Sequence, residues 1–308
     1  MAEPRTLDVL AVGGIDADLV LTVDRLPSFD EKVIGRLVGR LPGGPAANSA
    51  CAASRLGLRV AALATVGDDE AAQIIIDGYT AFGVDTSLIE VAPDATSPFT
   101  VILLDPTGEK AIVVVPGTPP RYRMDRVEQA LRQARAMYMM PGERAQFLEI
   151  TRLARACGAE VMIDVESTVG FDAESLDRLL AAVDIASFNQ DGFLAATGEQ
   201  PTPEALRRLL DYGPHTIVVT RGAQGALAAT ADRVAERPGY RVDVVDTTGA
   251  GDTFNAAFLC ATFDGLALDQ RLRFANAAAA LSVTSIGPRG RLPTRQEIES
   301  FLQIHTEE

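Results

Sequence analysis

Two periods alternate along this chain. Leu7 to Val12 is apolar apart from Asp8 and stops at Gly13-Gly14, as a parallel strand buried on both faces does. No helix follows and the Gly-x-Gly-x-x-Gly pattern is absent, so these glycines do not mark a dinucleotide site. Asp18–Asp24 and Lys32–Leu41 instead read as paired strands standing out from a main sheet. Coming between a first core strand and its first helix, they suggest a flap or lid. Pro42-Gly43-Gly44-Pro45-Ala46-Ala47-Asn48 then opens a helix that runs to Leu56 and closes at Gly57. Arg59–Val66 is the next core strand. Gly67-Asp68-Asp69-Glu70 ends it and caps a helix reaching Phe82, a better reading of that charged turn than a metal site. Ser97–Leu104 and Lys110–Val115 form a hairpin pattern around Asp105-Pro106-Thr107-Gly108.

From Met124 onward helix and strand alternate. The helices are expected at Met124–Ala134, Arg144–Cys157 and near Ser175–Ala182. The strands are expected at Ala136–Met140, Glu160–Asp164, Asp184–Phe188, Thr216–Thr220 and Ala226–Thr230. The pattern predicts an α/β fold: a doubly wound, mostly parallel sheet flanked by helices, with a small β lid contributed by about 16–41 and 97–115. Residues 1–308 read as a single domain, without internal repeat or linker. In such folds ligands bind beyond the carboxyl ends of the strands. Met140-Pro141-Gly142-Glu143 and Asp164-Val165-Glu166 lie at such ends, as sugar-side or metal-side positions or as loop residues with no role.

Composition adds exclusions. Net charge is −14, which argues against nucleic acid or an anionic membrane as partner. Three cysteines without paired spacing, Cys51, Cys157 and Cys260, read as reduced core thiols of a cytoplasmic protein. His215 precedes a strand and His305 is in the tail, so neither looks catalytic. The start of the sequence lacks a basic region followed by an apolar core, so no signal peptide is indicated, and no apolar run approaches membrane-spanning length.

The chemistry concentrates in Asp246-Thr247-Thr248-Gly249-Ala250-Gly251-Asp252. It follows the alternating, strand-like Arg241-Val242-Asp243-Val244-Val245 and runs into the apolar Thr253–Leu259. The main-chain N–H groups of Gly249, Ala250 and Gly251 would converge at the positive end of the helix dipole as an anion hole. Asp252 would be a poor phosphate ligand there, because like charges repel. It makes sense as a general base that takes a proton from a hydroxyl attacking a phosphoryl group. A lone Gly-x-Gly-Asp is as readily an Asp that stabilises a helix dipole; the longer run is more specific.

Asp246 through Leu259 resembles the C-terminal signature of the ribokinase-like, or PfkB, carbohydrate kinases, and the likeness extends from Gly13 to Pro293. It implies a ribokinase-like fold and an enzyme: an ATP-dependent kinase that phosphorylates a primary hydroxyl of a ketose- or pentose-type sugar, with Mg2+ bridging the phosphates. It makes Asp252 the base and Gly249, Ala250 and Gly251 the anion hole. It places Asp18, Asp16, Gly43, Gly44 and Asn48 at the sugar, where a carboxylate can take two donors from a vicinal diol. Asn189, Thr220, Gly222, Gly225 and Asn276 fall at the nucleotide. Asp246 and Thr248 fall beside a monovalent cation, commonly K+. The lid would exclude water from the transfer, and its strands would pair two subunits into a homodimer. In many members Asn189 is followed three residues later by Glu; here Gly192 stands in its place, leaving Asp191, Glu166 or water to serve the metal. The Gly-Gly-Pro-Ala-Ala stretch, that missing Glu and Arg289-Gly290-Arg291 look nearest to the ketohexokinase and sulfofructose-kinase-like branches. Two rivals remain. A nucleoside kinase of the same family would draw on Phe29 and Phe99, and a non-catalytic sugar or nucleotide sensor would explain Gly192.

Overall fold

The computed structural model describes residues 5–107, 109–142, 144–166 and 173–305. Glu143 and Gly108 lie outside the described residues. The first strand, β1 (Leu7–Val12), lies inside a sheet with neighbours on both edges. Its side chains divide by parity. Val9 and Ala11 enter one hydrophobic core, Leu10 and Val12 the other. The period of two along a strand thus becomes two cores, one on each face of the sheet.

The rest of that sheet follows from β4 (Val60–Gly67), β5 (Asp85–Ala92), β8 (Ala134–Met139), β9 (Glu160–Val165), β10 (Ile185–Asn189), β11 (Thr216–Thr220), β12 (Ala226–Thr230) and β13 (Val234–Arg237). The strand order is β13-β12-β11-β10-β9-β8-β1-β4-β5. All pairs from β5 to β11 are parallel, and β11-β12-β13 turn antiparallel at one edge. Helices α1 (Pro45–Arg55), α2 (Glu70–Thr80), α8 (Ala250–Phe263), α9 (Leu268–Ser282) and α10 (Arg295–Ile304) contribute to one core. Helices α3 (Met124–Gln133), α4 (Arg144–Ala156), α5 (Ala173–Ala181), α6 (Gln190–Thr197) and α7 (Pro203–Leu210) contribute to the other.

A second sheet of four strands, ordered β3-β2-β6-β7, is built from β2 (Asp16–Val23), β3 (Gly35–Gly43), β6 (Phe99–Leu104) and β7 (Lys110–Val115). This is the lid expected from 16–41 and 97–115. Four connections join it to the main body: β1 to β2, β3 to α1, β5 to β6 and β7 to α3. The charged turn behaves as a cap. Asp69 Oδ1 accepts from Ala72 N at 2.9 Å, and its other oxygen accepts from Ser97 N at 2.8 Å, tying the lid to the start of α2.

Two expectations are corrected. Arg241–Val245 alternates like a strand but forms none. Among the described residues its sheet-like tie is at its end, where Val245 and Asp246 N–H both bond Val283 O, and Val244 and Val245 stay exposed. Alternation marks a strand only when a neighbour supplies a ladder. Conversely β5, α6, α7 and β13 were not expected. β5 and β13 are edge strands with weakly patterned sequence, and α6 and α7 are eight residues each, short enough for capping rather than periodicity to define them. Asn189 and Thr202 cap them, by accepting from Gly192 N and Ala205 N.

Candidate functional site

The residues expected at the sugar and Asp252 come together where the lid, α1, α8 and the end of β9 meet. Asp16 and Asp18 lie two apart on β2 and so share a face, and Asp16 pairs in register with Gly43. A Cβ on Gly43 would lie 2.3 Å from Asp16 Oδ1 and 2.3 Å from Asp18 Oδ2. Only a residue without a side chain leaves room there for two carboxylates. Gly44 holds φ at +93°, and a Cβ on it would strike Gly14 O at 2.4 Å. That close approach lets Ala46 and Ala47 N–H bond Gly14 O, fixing the start of α1 on the end of β1.

Asp252 sits in the first turn of α8, 8% exposed. Its Oδ2 accepts from Asn48 Nδ2 at 2.8 Å, and its main-chain oxygen accepts from Ser49 Oγ at 3.0 Å. Burial pushes its carboxyl well above the ordinary range. The Asn48 hydrogen bond pulls back, the charges of Asp164 and Glu166 push further, and Arg289 opposes them. Gly249 caps α8 at φ +77°, against Pro288, where a Cβ would lie 2.7 Å from that ring's Cβ. Ala250 N–H makes a 3.3 Å bond to Thr247 O. Nothing lies within 4 Å of a Cβ built on Gly251, so the space in front of this turn is open.

The two carboxylates expected at the sugar are both shifted upward. Burial raises Asp16 to about 7, helped by the charge of Asp18 and opposed by Arg289; its Oδ1 is buried without a hydrogen bond. Asp18 is raised by burial, while a hydrogen bond from Thr100 and the charges of Arg289 and Lys110 hold it down.

Sequence reading missed several members. Arg289 donates from Nε to Asn48 Oδ1 at 2.8 Å and from Nη2 to Gly43 O at 3.0 Å. Beneath Asp252, Asn255 Nδ2 donates to Asp164 Oδ2 at 2.9 Å and to Tyr138 Oη at 3.1 Å, and Ser187 Oγ donates to Asn255 Oδ1 at 2.6 Å. Burial and the neighbouring Glu166 charge raise Asp164 to about 7 against the Asn255 bond. Asn255 could have been found: it lies three residues after Asp252, on the same face of a largely apolar helix. Arg289 carried no such signal, because its partners are more than 240 residues away.

At the nucleotide-side positions, Asn189 Oδ1 accepts from Gly192 N at 2.6 Å as a helix cap. Thr220 ends β11, where its hydroxyl lies 3.4 Å from Phe188 O. Gly222 has φ +55° with open space beside it. Gly225, at φ +86°, is forced by packing, since a Cβ would lie 2.1 Å from Arg237 O. Asn276 is buried and spends its amide on Arg237 O and Pro238 O, at 3.1 and 3.0 Å, holding the chain after β13. Arg221 pairs with Glu236. Asp246 Oδ1 accepts from Thr248 N and Oγ1, and Oδ2 from Gly287 N at 2.8 Å. Burial opposes its ionisation, but these bonds outweigh it and hold its pKa below the ordinary value.

Position 192 is closed to any side chain. A Cβ there would lie 2.3 Å from Val165 O and 3.2 Å from the carbonyl carbon of Glu166. The end of β9 occupies the space, and presents Glu166 beside it. Burial raises the Glu166 carboxyl, whereas Asp191 is exposed.

Residues 6–295 match the family described as pfkB family carbohydrate kinase. The chain is 32% identical to a ribokinase of Bacillus subtilis over 299 residues, covering 96% of this chain and 99% of the relative. It is 26% identical to a deoxyribokinase of Salmonella typhi, covering 97% and 100%. Its fold superposes on Arabidopsis thaliana ribokinase complexed with ribose and ATP at a TM-score of 0.85, with 25% identity, covering 96% and 99%. These relatives carry ribokinase and deoxyribokinase names rather than ketohexokinase ones, which corrects the branch expected from the motifs.

Proposed function

We propose, on the premise that this chain belongs to the pfkB family of carbohydrate kinases, that it transfers the terminal phosphoryl group of ATP to a primary hydroxyl of a pentose of the ribose or deoxyribose type. The observation that carries this reading is the placement of Asp252. The carboxylate lies buried in the first turn of α8, one residue after Gly251, whose own Cβ position is open, and is held by Asn48 from α1. Its elevated pKa makes it a stronger proton acceptor than an exposed aspartate, yet its single hydrogen bond leaves lone pairs for a hydroxyl.

In this mechanism Asp16, Asp18, Gly43, Gly44 and Asn48 surround the sugar. The unpaired Asp16 Oδ1 is a ready acceptor for one of its hydroxyls. Asp252 removes the proton of the attacking hydroxyl as the new O–P bond forms and the bond from the γ-phosphorus to the departing ADP oxygen breaks. The main-chain N–H groups of Gly249 and Gly251 would meet the charge on the transferred phosphoryl, each donor contributing about 3 kcal/mol, and Ala250 N–H would join them on giving up its 3.3 Å bond to Thr247 O. Asn189, Thr220, Gly222 and Gly225 form the nucleotide wall, with Asn276 bracing it through Arg237 and Pro238. When bound, Mg2+ would supply charge neutralisation for the phosphates. The backbone at the end of β9 fills the room a side chain at 192 would need, and Glu166, whose main chain lies beside that position, would be the carboxylate available to such an ion. A K+ site would lie between the Asp246–Thr248 and Gly287 segments, which the Asp246 carboxylate ties together.

Exposed Leu37, Val38, Val113 and Val114 on β3 and β7 support pairing of two lids into a homodimer. No helix among the described residues is long and apolar enough to cross a membrane, and free Cys51, Cys157 and Cys260 support a cytoplasmic location.

ADP release with ribose, deoxyribose, ketohexose and nucleoside acceptors tests the reading. Pentoses are expected to give the highest kcat/KM. Preference for a nucleoside would replace the acceptor, and silence with every acceptor would favour a sensor.

A further inference from the structure

Arg289 lies in the loop between α9 and α10, and the mechanism above gives it no role. Yet its guanidinium reaches into the hinge. It holds Asn48 Oδ1 and Gly43 O, sits 5.9 Å from the ring centre of Tyr79, and presses Nη1 toward α2, 2.8 Å from where a Cβ on Gly78 would stand. No hydrogen-bond partner is present for Nη1, which is buried.

The geometry matters because of what an amide can do. The Asn48 side chain offers an oxygen at one end and an NH2 at the other. Turned one way it donates to an ionised Asp252. Turned the other way it presents an oxygen, which suits only a protonated Asp252. A guanidinium has donors and no acceptor, and it stays charged at any working pH. Arg289 can therefore engage only the oxygen end, which leaves the NH2 end at Asp252 Oδ2. We propose that Arg289 is a positioning residue for phosphoryl transfer: by fixing the orientation of the Asn48 amide, it keeps Asp252 in the proton-accepting form. The second bond, to Gly43 O, keeps Arg289 itself in place.

The groups around Asp252 make such a device useful. Asp164 and Glu166 from the end of β9 both work against its ionisation. Tyr138 from β8 lies in the same buried network. Arg289 is the cation opposing them, and it acts in the same sense on Asp16, Asp18 and Cys51.

The inference rests on Asp252 as the base, so the experiment reads ionisation and turnover separately. The protein is labelled with 13C at aspartate carboxyls, and the resonance removed by Asp252→Asn is followed against pH in wild type and in Arg289→Met. The midpoint is expected to move to higher pH in Arg289→Met. In step with it, turnover on the acidic side should fall roughly tenfold, comparable to removal of a nearby opposite charge. At high pH it should recover to within about threefold, with KM for ATP unchanged. Arg289→Lys keeps the charge but cannot hold both oxygens, so a smaller shift in the same direction is expected; it carries the test if the Met variant does not fold. A wild-type midpoint in both variants overturns the proposal. A shifted midpoint together with full activity of Asp252→Asn would instead remove Asp252 as the base while leaving Arg289 as its neighbour's anchor.

Discussion

Asn48 donates its amide N–H to Asp252 Oδ2 at 2.8 Å, joining the first helix of the fold to the catalytic-helix candidate across 204 positions of sequence. The bond puts the loop proposed to hold the sugar and the proposed proton acceptor in one unit. A hydroxyl gripped beside Asn48 is then already near the group that would deprotonate it.

Asp252→Asn keeps an oxygen for Asn48 to donate to but removes the proton acceptor. Turnover should fall by about 10²- to 10⁴-fold, the usual share of a general base, with little change in thermal midpoint. Steady-state ADP release and a melting curve check both halves. Near-wild-type turnover would reassign the base.

Asp16 links stability to pH with a definite sign. Its folded pKa of about 7 lies above the ordinary 3.8, so the folded state binds the extra proton between those values. Its contribution to stability is therefore full at acid pH and is lost as pH rises toward 7. Asp16→Asn should melt about 2 °C or more above wild type at pH 8, with a smaller difference at pH 5. Equal differences at both values would show that Asp16 ionises freely.

Gly192 should resist restoration of a glutamate. Even Gly192→Ala places a Cβ 2.3 Å from Val165 O, and should cost about 1–3 kcal/mol in denaturant unfolding, as overpacking does. Glu166→Gln should leave stability intact and weaken the Mg2+ dependence of ATP binding measured by calorimetry. An unaltered Mg2+ dependence would take Glu166 out of the metal's surroundings.

The lid surface makes the last prediction. Leu37→Lys with Val113→Lys puts charge on the lid face opposite Asp18, where both side chains are exposed. Light scattering should then give one chain of 32.7 kDa where the unaltered protein gives two. A wild-type mass of one chain would dismiss the dimer.

How far the sequence reaches depends on how local each signal is. The strand Leu7–Val12 is legible because both faces must be apolar, and the capped turn at Asp69 because its partner is three residues away. The opening of α8 is legible for the same reason, since glycines and a first-turn acid act within one turn of helix. Arg241–Val245 misleads because alternation shows what a strand would bury, while a ladder partner lies elsewhere in the chain. Gly192 looks like a missing glutamate until the carbonyl of Val165 is seen in its space.

The sequence by itself determined the family, the two-sheet plan and the base candidate, because hydrophobic period and short-range loop chemistry are written in neighbouring residues. Only the tertiary structure decided which groups face Asp252: Asn48 locked by Arg289 on one side, Asp164 and Glu166 on the other. Burial and charge at a site are sums over segments that meet only when the sheet has wound, and no local pattern carries such a sum.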